Sequence, residues 1–549
     1  MTRAALWLLA GHFFLGLAYV AVLPPWEGFD ETAHYSSVQQ LADRREVPRL
    51  YRARVSTDVE RYSRIGPLPY SFRGDGGITY ETFFAGSAGE RARAKAFIHG
   101  RPDQPRHYAP GGLHNWQAQH PPLYYLVLSP VYALTRNMSW ATHMLILRLT
   151  SYVLAWVALL MGAYACLTAV PSRLNGIRVS WEWAALGIGL WPVVLPSWFS
   201  DMARIGNDSM CALILAGIWW LTIRASVTGL SVGNAVALGA LLGAGCLTKI
   251  FFVPITVGCL GFWLVRAWAL GGRRSLVSAI PRMATVLLVT GVLAGWWYFL
   301  NWREHGVPFG GLELIELRRA GGLLSGLARN NALLELPKAV AALGTTLVWP
   351  GTWSLVGAPL ASIAPIGLTV ILTGGAYLSA LRRARCSAVL WFPAWLTSLM
   401  LVALGWQALG RMALLGKSQP AYYLNLLAPA LAAAVGIGLG KSWHNATFRR
   451  LATGGVAYSL LFGAGIFWAQ AMLFSGLVVW YGADARAYSA VAVLSRVFEL
   501  PEALNRLAVL AYPRAGATAW LVGEALVLVG LARAWRASRD VERPAQISP

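Results

Sequence analysis

The strongest constraint on this chain is a succession of about twelve apolar runs, with an arginine cluster after every second one. Runs that approach or exceed ~18 residues are long enough to cross a hydrocarbon core as helices. Backbone polar groups find no water there, so each run must satisfy its own hydrogen bonds, and a helix does so. Only 13% of the 549 residues are charged and 56% are hydrophobic, whereas a soluble chain carries about 25% charge. The expected class is an all-α polytopic membrane protein. The excess of 46 Lys+Arg over 24 Asp+Glu, a formal charge of +22, is explained by basic residues collecting in cytoplasmic loops. It needs no nucleic-acid partner, and it suits an anionic lipid-phosphate substrate.

The first run, about 4–23, follows Arg3 and lacks a convincing small-residue cleavage site, so it is expected to stay as an anchor. Further runs lie at about 144–170, 181–199, 209–222, 235–247, 251–265, 284–299, 363–381, 389–409, 423–439, 451–472 and 519–531. The second ends at Arg173 and Arg178, the fourth at Arg224, and the sixth at Arg266, Arg273, Arg274 and Arg282. The eighth ends at Arg382, Arg383 and Arg385, the tenth at Lys441, Arg449 and Arg450, and the twelfth at Arg533, Arg536 and Arg539. One further apolar run, opened by His120-Pro121-Pro122-Leu123-Tyr124-Tyr125 and ending near 134, is too short for a comfortable span. Taken as a re-entrant or interfacial helix on the outer side, it leaves every arginine cluster on one side; counted as a span, it breaks that rule. The prediction is about twelve spans with both termini cytoplasmic, in a plasma membrane of the bacterial inner-membrane kind. Residues 1–440 are expected to form one transmembrane module that includes an outer loop over 25–120. Residues 441–549 then supply C-terminal helices and a cytoplasmic tail.

Within the outer loop, Tyr35, Val38 and Leu41 with Ala42 recur at helical spacing, with Gln39, Gln40, Asp43 and Arg44 between them. This predicts an amphipathic helix lying flat on the membrane surface, with Asp30 as its N-cap. The Gly-, Pro- and Arg-rich stretch 48–106 is expected to be irregular. An interfacial piece is expected around 347–355. The five cysteines, Cys166, Cys211, Cys246, Cys259 and Cys386, lie in or beside apolar runs without C-x-x-C spacing and read as small buried hydrophobes. The 26 tryptophans suit interfacial belts and helix packing.

The topology sorts the polar residues at segment ends onto the outer side. Glu27, Asp30, Glu31 and His34 follow the first run, and His114, Gln117, Gln119 and His120 precede the interfacial helix. Asp201, Arg204, Asn207 and Asp208 join runs three and four; Thr248 and Lys249 join five and six; Asn301, Trp302 and Arg303 follow seven; Arg411, Lys417, Ser418 and Gln419 precede ten. Each has a structural alternative. Asp30 and Asp208 can be helix caps, Lys249 can snorkel, His120 can be a loop histidine, and Trp296-Trp297 can be an aromatic belt. Independent capping would not require a common side, so carboxylates and cations from separate loops are expected to line one cavity.

The order of these motifs resembles the GT-C glycosyltransferases. The carriers are Asp30-Glu31 after the first span, His120-Pro-Pro-Leu-Tyr-Tyr, Ala203-Arg204-Ile205-Gly206-Asn207-Asp208, Leu247-Thr248-Lys249 and Trp297-Tyr298-Phe299-Asn301-Trp302-Arg303 with Gly306-Val307-Pro308-Phe309-Gly310. Members include lipid-linked protein mannosyltransferases and the aminoarabinose transferase of lipid A. A group of bacterial membrane proteins with a P-P-x-E-x-x-D-E-x-x-H opening is the nearest in pattern. The resemblance covers roughly residues 1–440. It departs at Gln419-Pro420-Ala421-Tyr422-Tyr423, where relatives often carry Q-x-R-Y and the arginine is missing; Arg411 or Lys417 stand near enough in sequence to replace it.

The resemblance implies a helical bundle with a large first outer loop carrying interfacial helices. It implies a hexosyl- or pentosyltransferase that moves a sugar, with inversion, from a polyprenyl-phosphate donor to an acceptor hydroxyl on a glycan, lipid or protein. Asp30 would be the base, with Glu31 or Asp208 orienting the acceptor or sharing a cation. The donor would meet His120, Tyr124, Arg204, Asn207, Lys249 and Arg303. A divalent cation between Asp30, Asp208 and His120 is compatible with this, though the spacing does not demand one. No Gly-rich phosphate loop suggests a soluble nucleotide sugar. A transporter or flippase of a lipid-linked sugar or other anionic precursor is the main alternative. Transporters, however, usually place polar residues near the midplane in two related halves, which is not the pattern here. A membrane scaffold with a binding loop is a third reading.

Overall fold

The computed structural model describes residues 2–69, 78–168, 173–174, 177–178, 181–331, 334–354, 358–383, 387–416, 421–478 and 496–540. Arg385, Cys386, Lys417, Ser418 and Gln419 lie outside the described residues. The chain opens with α1 (Thr2–Val22), turns through Pro24-Pro25 and enters α2 (Glu31–Arg44). Next come α3 (Thr57–Ser63), α4 (Tyr80–Ala85) and α5 (Ala88–His99), with an antiparallel ribbon of β1 (Arg54–Ser56) and β2 (Pro110–His114). The stretch expected to be irregular is thus partly helical, because Ser56, Thr79 and Ser87 each cap a helix start with a side-chain oxygen.

The short helix α6 (Leu123–Thr135) precedes α7 (Trp140–Leu167), α8 (Trp181–Val194), the six-residue α9 (Ser197–Met202), α10 (Asp208–Thr228) and α11 (Val232–Cys246). After α12 (Phe252–His305) come α13 (Leu312–Arg319), α14 (Leu323–Arg329) and α15 (Leu336–Val348). The chain then runs through α16 (Leu360–Arg383), α17 (Ala388–Leu415), α18 (Ala428–Ser442), α19 (Ala446–Phe474) and a C-terminal helix, Pro513–Asp540.

The protein is an all-α polytopic bundle. Among the described residues, nine helices are long and apolar enough to cross a membrane, by length and composition. One of them, α12, holds 54 residues and would measure about 80 Å if straight, far more than one crossing needs. It is two helices meeting at a kink at Gly271 and Gly272, where φ/ψ leave the helical region and Gly272 takes φ +60°. It therefore supplies the sixth and seventh expected runs. The third and fifth are the shorter helices α8 and α11, of 14 and 15 residues. The His120 run forms α6, only 13 residues long, in keeping with its exclusion from the spans.

Small residues let these helices meet closely, as association in lipid favours. A Cβ on Gly436 of α18 would sit 2.1 Å from the Trp183 carbonyl, and one on Gly187 of α8 would sit 2.3 Å from the Ala432 carbonyl. The C-terminal helix runs antiparallel along α1, with Gly530 against Leu8 and Gly516 against Val22. The apolar core is continuous from α1 through the outer-loop helices to α19.

The helix α2 departs from expectation. It is not laid on a surface but enclosed, with every residue from Glu31 to Leu41 buried. Part of its polar face is satisfied internally: Gln39 Nε2 donates to Asp58 (2.7 Å) and to Tyr132 Oη (2.9 Å). Ser36 and Ser37 donate back to the carbonyls of Thr32 and Ala33. An amphipathic pattern specifies two faces; packing against α6 and β1 supplied polar partners for the second.

Candidate functional site

The turn after α1 divides its carboxylates among different tasks. Glu27 is buried and accepts hydrogen bonds from Tyr80 Oη (2.6 Å), Thr352 Oγ1 (2.8 Å), Ser354 Oγ (2.6 Å) and Ser354 N (3.1 Å). Burial pushes its pKa up, opposed by those donors. Glu27 is thus a clasp between the first loop and the segment after α15. Glu31 is also fully buried and is held bidentately by Arg148 of α7, at 2.7 and 2.6 Å. It accepts in addition from the backbone N–H groups of Gly28 and Ile205. Its oxygens are used in holding the turn, and it does not line the cavity described below.

Asp30 stands at the N-cap position of α2 but does not cap it with its side chain. Its backbone is left-handed, φ 61° and ψ 10°, a conformation that Asp tolerates better than most residues. This turns the carboxylate away from the helix, and Oδ1 accepts from the indole N–H of Trp116 at 2.7 Å. Trp116 sits in a 3-10 turn, Trp116–Gln119, begun by Asn115, whose side chain accepts from Gln117 N.

A second cluster forms where α9 turns into α10. Asp208 occupies the first turn of α10 after Asn207, so it is not the cap either. One oxygen pairs with Lys249 Nζ and the other accepts from Arg204 at 3.0 Å. Arg204 also donates to Asp201 Oδ1 (2.8 Å), the Asp201 carbonyl (3.0 Å) and the Phe29 carbonyl, which ties the cluster to the Asp30 turn. Asp201, buried and beside Asp208, has its pKa pushed up to about 7 by burial first and by the neighbouring carboxylate second. Lys249 does not snorkel; it is buried, with its ammonium 4.6 Å from the Tyr423 ring centre. The Asn207 amide donates to the Thr248 carbonyl at 3.1 Å and so joins the two loops that carry Asp208 and Lys249.

Between these clusters, the imidazoles of His34 and His120 stack nearly parallel, 5.9 Å apart. His34 Nδ1 shares a 2.9 Å hydrogen bond with Tyr125 Oη. Burial holds His120 neutral, its pKa lowered to about 3, with Lys249 adding repulsion. His34 is lowered for the same reasons, burial first and the adjacent His120 second.

These groups share one cavity of about 1600 Å³. Asp30, His34, Trp116, Gln117, His120, Arg204, Asp208 and Lys249 line its polar end, and Glu313, Glu335, Lys338 and Arg411 line further parts of the wall. Away from the polar end the cavity continues between α12 and α17, along Val253, Val257, Leu399, Val402 and Trp406. Several of these are exposed at the bundle surface, Val257 at 61% and Val402 at 70%. The cavity is thus a charged chamber joined to an apolar groove that opens at the bundle surface.

Asp30, Asp208, His120, Arg204 and Lys249 are therefore brought together, as the motifs suggested. Glu31, Tyr124, Asn207 and Arg303 are not on the cavity wall. Tyr124 is buried and bonds Ser151 of α7 at 2.6 Å, and Arg303 is exposed near the end of α12. The Trp296-Trp297 pair also lies outside the cavity, with Trp297 buried under the Arg49 guanidinium at 5.0 Å. Sequence reasoning missed Trp116, Arg148 and the positions of Tyr422 and Tyr423. Arg148 had a signal, since a charge inside an apolar run demands a buried partner; Trp116 had none. Among the described residues, no three His, Cys, Asp or Glu side chains are placed to hold a metal ion. Both Asp208 oxygens are occupied by cations, so Asp30, Asp208 and His120 do not fit as a divalent-ion set.

No family model and no curated protein matches this chain. Among solved structures, ArnT from Cupriavidus metallidurans bound to undecaprenyl phosphate is similar over 96% of this chain and 77% of its own length, with 15% identity and a TM-score of 0.44. The apo oligosaccharyltransferase of Archaeoglobus fulgidus is similar over 95% of this chain and 56% of its own, with 13% identity and a TM-score of 0.39. AglB of the same organism, in complex with an inhibitory peptide and a dolichol-phosphate, is similar over 90% of this chain and 55% of its own, with 14% identity and a TM-score of 0.34.

Proposed function

We propose that this protein transfers a sugar from a polyprenyl-phosphate donor to an acceptor hydroxyl at the outer face of a plasma membrane, with both chain termini cytoplasmic. The observation that carries this reading is the single cavity whose charged end holds Asp30, Arg204, Asp208 and Lys249 and whose other end opens as an apolar groove between α12 and α17. The groove suits a polyprenyl tail, and the charged end suits its phosphate. Asp30 takes the acceptor proton as the acceptor oxygen attacks the anomeric carbon. The bond from that carbon to the phosphate oxygen breaks, and the anionic polyprenyl phosphate leaves beside Lys249 and Arg204. His34 and His120, being neutral, hydrogen-bond the sugar or phosphate without adding charge. Asp208 sets the cations, while Glu31 holds the Asp30 turn through Arg148 and touches no substrate.

A carboxylate base typically contributes ~10²–10⁴-fold. In proteoliposomes with polyprenyl-phosphate sugars and membrane glycan acceptors, Asp30→Asn should therefore lose at least about 100-fold in transfer while inserting normally. Asp208→Asn should lose donor affinity and turnover. Full transfer by both variants would sink the assignment. Movement of intact donor across the bilayer without transfer would establish a flippase instead.

A further inference from the structure

The opposite end of α1 carries a second cavity, of about 480 Å³, that takes no part in the chemistry proposed above. It is lined by Thr2, Arg3 and Ala4 of α1, by Glu182 at the start of α8, and by Arg533 and Arg536 of the C-terminal helix. Three arginines from the two ends of the chain thus face one glutamate. None of the three has an acidic partner among the described residues. The guanidinium of Arg533 lies 5.6 Å from the ring of Trp7, a cation–π contact with a residue type that is enriched at membrane interfaces. With 21 residues in α1, this cavity lies about 30 Å from the Asp30 turn, on the far side of the bundle.

We infer that this cavity binds the phosphate-bearing headgroup of an anionic membrane lipid, bridging α1 to the C-terminal helix. The excess of positive charge favours a headgroup with two phosphates over one with a single phosphate. Like charges on antiparallel neighbouring helices repel, and an anion between Arg3 and the Arg533–Arg536 pair converts that repulsion into a bridge. A lipid rather than a free anion is the occupant because the cavity sits at the bundle end beside Trp7, where a headgroup arrives with its acyl chains already in the bilayer.

The test uses the full chain purified in detergent, with thermal unfolding followed in the presence of cardiolipin, phosphatidylglycerol, phosphatidylcholine or soluble pyrophosphate. Cardiolipin should protect at the lowest concentration, phosphatidylglycerol less, and phosphatidylcholine not at all. Arg533→Gln/Arg536→Gln should raise the concentration of cardiolipin needed by about tenfold or more. Arg382→Gln/Arg383→Gln, which removes two arginines from α16, should change it less than about twofold, and Glu182→Gln should lower it. If the double variant fails to fold, Arg536→Gln and Arg3→Gln alone carry the test, each with a smaller shift in the same direction. Equal shifts for both arginine pairs, or protection by phosphatidylcholine, would overturn the inference. Protection by pyrophosphate as strong as by cardiolipin would overturn the lipid assignment.

Discussion

Single side chains in the outer turn have separable roles. Glu31 and Arg148 are a buried bidentate pair, and removing one partner of such a pair typically costs about 3–5 kcal/mol because the other charge is left unpaired. Arg148→Met and Glu31→Gln should each lower the thermal midpoint strongly, and the double variant should recover part of the loss. A double variant worse than either single would show that the pair is not the coupling unit. Trp116 holds Asp30 by a hydrogen bond to a carboxylate, a kind worth about 1.5–3 kcal/mol. Trp116→Phe should lower kcat by about tenfold or more, with the donor KM nearly unchanged. A rise in KM alone would instead place Trp116 in donor binding. His120 titrates near 6.5 when unfolded and near 3 when folded. The folded state therefore disfavours its protonation, and the stability it contributes is complete above pH about 6.5 and is lost as pH falls from there towards about 3. His120→Gln should flatten the pH dependence of unfolding in that window, and an unchanged slope would contradict the burial of the ring.

Helices are positioned here by how closely they can approach. The crossing of α8 and α18 depends on Gly187 and Gly436, where a Cβ would strike backbone atoms rather than movable side-chain ends. Gly436→Val should abolish the monodisperse peak in size-exclusion chromatography of the detergent-solubilised protein. Gly465→Val in α19, where nothing lies within 4 Å of an added Cβ, should leave the peak intact. At this scale the apolar runs of the sequence were legible, because length and hydropathy are local properties. The break between runs six and seven, at Gly271 and Gly272, likewise falls beside the arginines that end run six.

Across the whole molecule, sidedness connects the two cavities. If the Asp30 chamber faces outward and the arginine-rich ends inward, a cysteine replacing exposed His114 should react with an impermeant maleimide on sealed, oriented vesicles. One replacing exposed Arg274 should react only after permeabilisation. The described native cysteines are buried and should contribute little background. Labelling of both from one side would remove the shared outer face on which the donor-binding proposal stands.

The sequence by itself determined the class, the number of apolar runs and the gathering of Asp30, His120, Arg204, Asp208 and Lys249 at one end of the bundle. Those conclusions follow from hydropathy, arginine placement and the cost of burying charge, which act on any chain regardless of its neighbours. Tertiary structure decided which of those residues point at the cavity. Asp30 and Glu31 are adjacent in the chain, yet a left-handed turn and the partner Arg148, more than a hundred residues away, send one into the chamber and the other into the protein. Likewise, α2 is enclosed rather than exposed, and Asp58 and Tyr132 supply partners for the Gln39 amide on its polar face. A side chain's role depended on partners distant in sequence, and folding in three dimensions is what supplied them.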